Sequence, residues 1–458
     1  MSVFRTSLIL FASLIVTACA VPDRPDSADI QQDALTNAEV AERWAQGIGA
    51  PAEVDGWLQS LRDPELEALV AEVLQHNNTL KAATANLNIA AANARQAGAA
   101  LLPSASAALS PQRSGNEQAV VESSGVSLNV EWEIDLWGRL GSAAAAAENS
   151  YSASEADFRF ARESLIAQTA KAWFLATDAY LQRKLSEENV EINRQLVELT
   201  TLKHSVGRAS RQEIHLVKAD LASSEERLRD AQQGYEEAVR SLEIILGRYP
   251  AATLEVREDF VAVPPAIPVG VPSEILERRP DIIAAERQVA AAFFSTESAS
   301  RARLPRLSLT ATGGSTSNDL SNLLGDASFW NLGANLLAPL DIGGQLATQV
   351  EIETENQKIA LANYSDTALK AFSEVEQALS NEKLLAERQG FLEIAVEENA
   401  ASYELAKLQY EAGRIDLLSL LQTQARVINS KSALVSLKRS RLTQRVDLHL
   451  SLGGDFES

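Results

Sequence analysis

An internal duplication is the feature that most constrains the fold of this 458-residue chain. Four landmarks recur in the same order, three of them 206 residues apart and one 202 residues apart. The pairs are GRL at 138 and GQL at 344, GR at 207 and 413, LGR at 246 and LGG at 452, and LP at 102 and 304. A repeat of this length indicates a duplicated domain half rather than a short solenoid unit. Each half can therefore be used to check the interpretation of the other.

Each half predicts a helix, two strands, a very long helix and a returning helix. Asp63 followed by Pro64 marks a helix start, because Asp is a good N-cap and Pro fits the first helical position. This helix is expected to reach about Leu102 with a break near His76, and its duplicate runs from Pro280 to Pro305. The domain prediction is a first repeat over 63–247, a Pro-rich linker over 248–272 and a second repeat over 273–458.

Proline is absent from 112–249 and from 340 onward, so long helices are predicted there. The glycines at 138 and 207 are 69 residues apart, as are those at 344 and 413, which corresponds to roughly 100 Å of helix in each repeat. The returning segments correspond to roughly 60 Å, and the helix before each LP stop adds roughly 37 Å. One long helix therefore matches two shorter ones stacked end to end, as in a helical cylinder of uniform height.

Heptad spacing predicts contacts between these helices. Two series at seven-residue spacing run along the first returning helix: Ile214, Leu221, Leu228, Tyr235, Leu242, and Val217, Ser224, Ala231, Ala238, Ile245. The second returning helix carries two adjacent apolar stripes, which favours a helix with neighbours on both sides, as in a wall. A two-helix coiled coil is the alternative and needs only one stripe.

Segments of period two predict strands. Apolar residues at Val126, Leu128, Val130, Trp132, Ile134 and Leu136 alternate with Ser127, Asn129, Glu131, Glu133 and Asp135. Partner segments are predicted at 104–110, 307–312 and 332–340, and tryptophans at 132, 137 and 330 resemble an interfacial girdle. Soluble hairpins are the alternative, but their continuous apolar face would need a cover, and lipid supplies one. Glu131, Glu133 and Asp135 would then face a barrel lumen and disfavour anions.

The N-terminus predicts export and lipidation. A short apolar run ends at Cys19, and VTAC at 16–19 resembles a bacterial lipobox. We therefore predict a signal peptide over 1–18 and a lipidated tether over 19–62, with Ala20 consistent with sorting to the outer membrane. An ordinary secretory signal with an incidental cysteine is the alternative.

Composition and motifs exclude several functional classes. The net charge is −21 and no basic run occurs, so nucleic-acid binding is not expected. The four histidines are scattered singly, and no nucleophile–base pair, metal-spaced set or phosphate loop is present. No enzymatic activity, metal or cofactor is therefore predicted.

Two motifs carry a resemblance to a known family. The sequence VPSEILERRPD at 271–281 resembles the inter-repeat signature of the TolC-like outer-membrane efflux proteins, in their lipoprotein (NodT-type) branch, and EWEIDLWGR at 131–139 is similar to the second-strand motif. The resemblance covers about 55–454. It implies a mainly α fold with a transmembrane β-barrel portion: a homotrimer with four strands per chain in one twelve-stranded barrel, continued by a long α-helical coiled-coil periplasmic tunnel. Independently, four strands cannot close a barrel, so some oligomer is required.

The two helix turns are the predicted functional sites. The resemblance implies that these tips close the tunnel and meet a periplasmic adaptor; the residues are Gly207, Arg208, Ser210, Gly413, Arg414 and Asp416. It also implies that Glu213 faces the pore. Relatives read LLDAQ where this chain reads LLQTQ at 420–424, so the second acidic ring is neutral at Gln422, with Ser419 nearby.

The expected function is a passive exit duct in the outer membrane of a Gram-negative bacterium. It would carry small molecules such as drugs, surrounded by outer-membrane lipid and coupled through the adaptor to an inner-membrane transporter. Opening would be an iris-like shift of the tips. The competing interpretations are a non-conducting trimeric coiled-coil lipoprotein and a soluble binding lipoprotein. The sequence leaves the cargo open.

Overall fold

A computed structural model describes residues 26–36, 40–45, 56–117, 120–265, 269–318 and 327–454. The predicted signal peptide and the lipidation site at Cys19 lie outside the described residues. Within these ranges, no helix is both long enough and apolar enough to cross a membrane.

The two repeats have matching elements. The first contains α3 (Pro64–His76), α4 (Asn78–Ala99), β1 (Ser104–Gly115), β2 (Val120–Ile134), α5 (Arg139–Ser205) and α6 (Arg211–Ile245), after the short helices α1 (Ser27–Ala34) and α2 (Trp57–Ser60). The second contains α7 (Glu274–Arg278), α8 (Pro280–Arg301), β3 (Arg306–Ser317), β4 (Ala327–Leu337), α9 (Gln345–Glu411) and α10 (Leu417–Ser451). Helices α5 and α9 have 67 residues each, and α6 and α10 have 35 each, so the predicted equality of the repeats is confirmed.

The chain divides into two compact units, and both repeats contribute to each. Among the described residues, one unit comprises 26–36, 85–117, 120–156, 281–318 and 327–367, and contains all four strands. The other comprises 40–45, 56–84, 157–265, 269–280 and 368–454. Helices α5 and α9 each contribute residues to both units.

The strand unit contains one antiparallel sheet in the order β1-β2-β3-β4. Val130 is opposite Ala105 and Ala311, and Ala311 is opposite Leu332, so the apolar residues of all four strands lie on one face. Glu131 is opposite Ser104 and Thr310 on the polar face. The predicted alternation is therefore confirmed. The part of the chain that the structure describes does not cover this apolar face at Leu332, whose side chain is 72% exposed.

The strand bounds differ from the prediction: two strands end earlier than predicted, and all four extend beyond their predicted segments elsewhere. Strand β2 ends at Ile134, and β4 ends at Leu337, so Leu136 and Leu340 lie beyond the strands. The reason is local. Each of these strands is followed by a turn that contains an Asp, and the Asp side chain accepts hydrogen bonds from backbone N–H groups at the start of the next helix. Strand β1 extends further than predicted, to Gly115, and includes Pro111, which an edge strand tolerates.

The other unit has an apolar core in which helices of both repeats meet. The 2%-exposed Trp173 and the fully buried Leu66, Leu242 and Val446 belong to it. Trp173 Nε1 donates to Asp63 Oδ2 at 3.0 Å, and Asp63 Oδ1 accepts from the backbone N–H of Leu66 at 3.2 Å. The predicted N-cap at Asp63 is therefore confirmed.

The predicted break in the first helix is also confirmed, at Asn77. Its Oδ1 accepts from Leu80 N at 3.0 Å and so caps α4, while its Nδ2 donates to Ile245 O at 2.8 Å. In α6 the small heptad series is the most buried one, with Val217 and Ser224 almost fully enclosed. Small side chains there allow close approach of the neighbouring helices.

One buried histidine has an unusual environment. His449 is 2% exposed and stacks on Trp57 with ring centroids 5.6 Å apart. Neither ring nitrogen has a hydrogen-bond partner among the described residues. Burial, followed by the positive charge of Arg445, lowers the pKa of His449 to about 3. This imidazole is therefore neutral in the folded protein near pH 7.

Candidate functional site: helix tips and strand–helix junctions

The turn between α5 and α6 is a glycine-terminated helix end. Gly207 has φ +72°, a conformation that glycine adopts at little cost. Its N–H donates to His204 O at 2.9 Å, and Arg208 N donates to Lys203 O at 2.8 Å. This pair of bonds is the Schellman pattern, which satisfies the last carbonyls of the helix.

The turn between α9 and α10 repeats the same geometry. Gly413 has φ +70°, its N–H donates to Tyr410 O at 3.0 Å, and Arg414 N donates to Gln409 O at 2.8 Å. Arg208 and Arg414 are exposed at equivalent places. The two predicted turns are thus built alike, and no residue within 4 Å would meet a Cβ at either glycine.

The acidic residues at the two tips occupy different capping positions. Ser210 is the N-cap of α6: Glu213 N donates to Ser210 Oγ at 3.1 Å, and Ser210 N donates to Glu213 Oε2 at 2.6 Å. At the second tip Asp416 is the N-cap of α10, and its Oδ1 accepts a hydrogen bond from Ser419 N at 2.8 Å. Hydrogen bonds from Ser419 lower the pKa of Asp416. Ser210 and Asp416 are predicted to contact the adaptor and Glu213 to face the pore, and the geometry adds a capping role for each of the three.

Side chains link the two tips to one another. Lys203 on α5 donates to the backbone oxygen of Tyr410, and its Nζ is 3.6 Å from the centroid of the Tyr410 ring. The Tyr410 hydroxyl and Thr200 Oγ1 are 3.3 Å apart, and Thr200 is fully buried. Burial lowers the pKa of Lys203 and raises that of Tyr410. These contacts join the end of one long helix to the end of the other.

An apolar cluster lies beside this link. It contains Leu196, Val217, Ala406, Tyr410, Leu417 and Leu420, with Tyr403 and Ile415 packed against it. Residues from α5, α6, α9 and α10 all contribute. The two hairpins of one chain are therefore held together by packing as well as by hydrogen bonds.

Further along α10, next to this apolar cluster, side-chain amides from α10 and α5 form hydrogen bonds with one another. Gln424 is 6% exposed, and its Nε2 donates to Asn189 Oδ1 at 2.9 Å and to Asn193 Oδ1 at 3.1 Å. Gln422 and Ser419 are exposed. The amide in the motif that contacts other helices is thus Gln424. Among the described residues, no group of three or more His, Cys, Asp or Glu side chains could hold a metal ion.

The three acidic residues that were predicted to face the lumen have different environments. Asp135 lies beyond β2, and its two carboxylate oxygens accept from Leu140 N at 3.1 Å and Gly141 N at 2.7 Å. Glu133 pairs with Arg139 at 2.7 Å. Glu131 is exposed on the polar face of the sheet. The expectation that Asp135 continues the strand alternation is therefore corrected, because this carboxylate anchors the start of α5.

The counterpart of Asp135 in the second repeat, Asp341, was not predicted from the sequence. Asp341 accepts from Leu346 N at 3.1 Å and Ala347 N at 2.9 Å, and these two bonds lower its pKa. The 206-residue offset from Asp135 could have identified it. The roles of Lys203 and Thr200 were also not predicted. Their partner, Tyr410, is in the other repeat, so no local sequence pattern indicates the contact.

Comparison with known proteins agrees with this architecture. A sequence model described as "Outer membrane efflux protein" matches residues 69–248 and 271–454. The pyoverdine export outer membrane protein OpmQ of Pseudomonas aeruginosa is 29% identical over 100% of this chain and 98% of its own length. The toluene efflux pump outer membrane protein TtgC of Pseudomonas putida is 30% identical over 92% of this chain and 90% of its own length.

A solved structure supports the same assignment. The Campylobacter jejuni CmeC outer membrane channel superposes with a TM-score of 0.85 at 26% identity, covering 95% of this chain and 94% of that one. The duplicated sequence match and the whole-length structural similarity coincide with the two repeats described above. The chain therefore belongs to the outer membrane efflux protein family, whose members are outer-membrane channels and not enzymes.

Proposed function

We propose that three copies of this chain form a passive exit duct for small organic molecules. In this proposal the duct is the outer-membrane part of a tripartite system. An inner-membrane transporter supplies the energy, and a periplasmic adaptor couples it to the helix tips. Lipid attached at Cys19 would add a second anchor to the membrane.

The sheet is the observation that carries the proposal. It has one apolar and one polar face, and within the described chain β1 and β4 each pair with a single neighbour. An open sheet edge in lipid leaves backbone groups unsatisfied, so the edges must be joined to other strands. Three four-stranded sheets joined edge to edge would form a closed ring of twelve. The apolar face, with Leu128 55% and Leu332 72% exposed, would contact lipid.

The tips are the proposed gate and adaptor contact. Tyr410, Thr200 and Lys203 hold the two hairpins of one chain together, so widening between the hairpins requires these contacts to break. The exposed turn residues that would meet the adaptor are Gly207, Arg208, Ser210, Gly413, Arg414 and Asp416. Both sets of residues lie within a few turns of the same helix ends.

The lumen is proposed to present fewer unpaired carboxylates than the sequence pattern indicated. Glu131 lies on the polar face and caps no described helix, whereas Glu133 forms a salt bridge with Arg139 and Asp135 caps the start of α5. Near the tip, Glu213 would be the acid at the pore and Gln422 a neutral position. A modest preference for cations follows from these charges.

Small organic molecules are the proposed cargo because the similar proteins OpmQ and TtgC are described as exporting pyoverdine and toluene. Selection of the cargo would belong to the transporter. Deleting this gene is expected to increase the sensitivity of its host to organic toxicants, and reintroducing it should restore resistance.

The decisive experiment uses the purified full-length chain. We expect a detergent-stable trimer that produces ion current in planar membranes, and cross-linking in cells to a periplasmic adaptor at an exposed tip position such as Arg414. A monomer without current would refute the duct. Current without adaptor capture, from cross-linkers placed at both Arg208 and Arg414, would refute the tripartite coupling alone.

A further inference from the structure

A polar cavity lies between α5, α6 and α10, next to the apolar cluster of the tips. Its volume is about 610 Å³, which is within the range of sites that hold small molecules. Amides and hydroxyls from all three helices line it, among them Asn193, Ser223 and Asn429. Leu185 and Ile428 add an apolar part to the wall. The cavity is therefore built differently from the closely packed cluster beside it.

One face of α6 supplies the charges of this cavity. Asp220, Arg227 and Asp230 all line it, so two carboxylates and one guanidinium give it a net negative charge. The Asp220 carboxylate forms no hydrogen bond or ion pair with any residue that the structure describes. Burial raises the pKa of Asp220 more than the nearby charge of Arg227 lowers it. This helix face thus presents a partly desolvated acid that lacks a partner.

The α10 side of the cavity carries an amide oxygen without a partner. Gln424 is more than nine-tenths buried, and its Nε2 donates to Asn189 and Asn193 on α5. Gln424 Oε1 is buried and has no hydrogen-bond partner in the described part of the chain. A buried acceptor without a donor is costly, so a ligand that donates a hydrogen bond to this oxygen would be stabilised.

Asp220 and Gln424 lie at nearly the same level along the helices. Val217 of α6 and Leu420 of α10 belong to one apolar cluster, and both helices run away from the tips. Asp220 is three residues beyond Val217, and Gln424 is four residues beyond Leu420, which corresponds to roughly 4.5 Å and 6 Å of helix. A small ligand in the cavity can therefore reach the carboxylate and the amide oxygen together.

The second repeat does not have the same residues at the equivalent places. At the 206-residue offset Arg426 replaces Asp220, so the charge is reversed. Leu437, which is 4% exposed, replaces Ala231, which lines the cavity. The small side chain at Ala231 leaves space that a leucine would fill. The cavity and its acid are therefore specific to the first repeat and are not a general consequence of the helical architecture.

We propose that this cavity binds a small organic ammonium compound, whose N–H groups donate to the Asp220 carboxylate and to Gln424 Oε1. An ammonium group supplies N–H donors and a positive charge, and its hydrogen bonds to a carboxylate are of the strong, charge-assisted kind. The hydrocarbon part of the ligand would lie against Leu185 and Ile428. Because α6 and α10 belong to different hairpins, the ligand would bridge them. The inference goes beyond the exit duct, since the site lies between helices of one chain.

Titration of the purified full-length protein, followed by saturation-transfer NMR, tests the proposal. Cyclohexylammonium is the probe, and cyclohexanol is its neutral analogue. We expect saturable binding of cyclohexylammonium and weaker binding of cyclohexanol. Asp220→Asn should weaken cyclohexylammonium binding at least about tenfold, because it removes a charge-assisted hydrogen bond, and should leave cyclohexanol binding unchanged. Glu225→Gln is the matched control, because Glu225 is exposed and lies about 140° around α6 from Asp220.

A second pair of variants tests the space itself. Ala231→Leu introduces the residue that the second repeat has at this place and should abolish binding of the probe. Ala222→Leu adds the same side chain at an exposed position about 180° around α6 and should bind like the wild type. Circular dichroism and thermal unfolding establish that each variant is folded.

The proposal would be overturned by equal titrations of wild type and Asp220→Asn, or by equal affinity for cyclohexylammonium and cyclohexanol. Binding that a folded Ala231→Leu retains would overturn it as well. If Ala231→Leu does not fold, the comparison of wild type, Asp220→Asn and Glu225→Gln decides. None of these measurements requires a conducting channel, so their outcome is independent of the exit duct.

Discussion

Replacing Tyr410 by Phe tests whether the link between the tips holds the duct closed. The substitution removes only the hydroxyl, which is 3.3 Å from Thr200 Oγ1, and keeps the ring that Lys203 contacts. It leaves the hydroxyl of Thr200, which is fully buried, without this partner. The closed state should therefore lose stability while the fold of the cluster is retained.

The expected magnitude follows from the number of bonds. One hydrogen bond of this kind contributes about 1 kcal/mol net, so three chains opening together lose about 3 kcal/mol. That free energy corresponds to a rise of roughly 150-fold in the ratio of open to closed channels. Chains that open independently would each shift by only about fivefold.

Single-channel recording in planar membranes measures this ratio directly. Tyr403→Phe is the matched control, because Tyr403 packs against the same cluster but its hydroxyl makes no hydrogen bond with any residue that the structure describes. Thr200→Val should reproduce the effect of Tyr410→Phe, and the double variant should add little to either. An unchanged open fraction in Tyr410→Phe would refute the reasoning.

Three further predictions concern charge, pH dependence and helix capping. Glu131→Gln should reduce the proposed preference for cations, seen as a smaller reversal potential across a salt gradient, whereas Asp135→Asn should reduce it less because the start of α5 partly offsets the charge of that carboxylate. The free energy of unfolding should fall by roughly 2 kcal/mol between pH 7 and pH 5 through His449, because the unfolded imidazole takes up a proton below its ordinary pKa and the folded one does not. His449→Leu should remove that part of the pH dependence in denaturation curves, and an unaltered slope would contradict the assigned pKa. Asp416→Ala should speed backbone hydrogen exchange at the start of α10, whereas Asp416→Asn, which keeps a capping oxygen, should not.

Periodicity and turn chemistry predicted most elements of the fold. The alternation at 126–134 predicts a strand with two unlike faces, and Gly207 and Gly413 predict helix turns because only a left-handed residue closes them easily. The N-cap at Asp63 was likewise predicted from three residues. Each of these inferences needs only neighbours along the chain, because helix and strand geometry fix which side chains share a face.

Partnership between distant residues could not be predicted in this way. Asp135 continues the alternation perfectly in the sequence, yet the structure ends the strand one residue earlier and uses the carboxylate to cap a helix. Tyr410 and Lys203 meet although 207 positions separate them. The sequence alone therefore determined the duplication, the helix lengths and the amphipathic strands. The tertiary structure decided which charges stay free, which tips are joined and which helix faces lack a partner, because these depend on packing between segments that are remote in the chain.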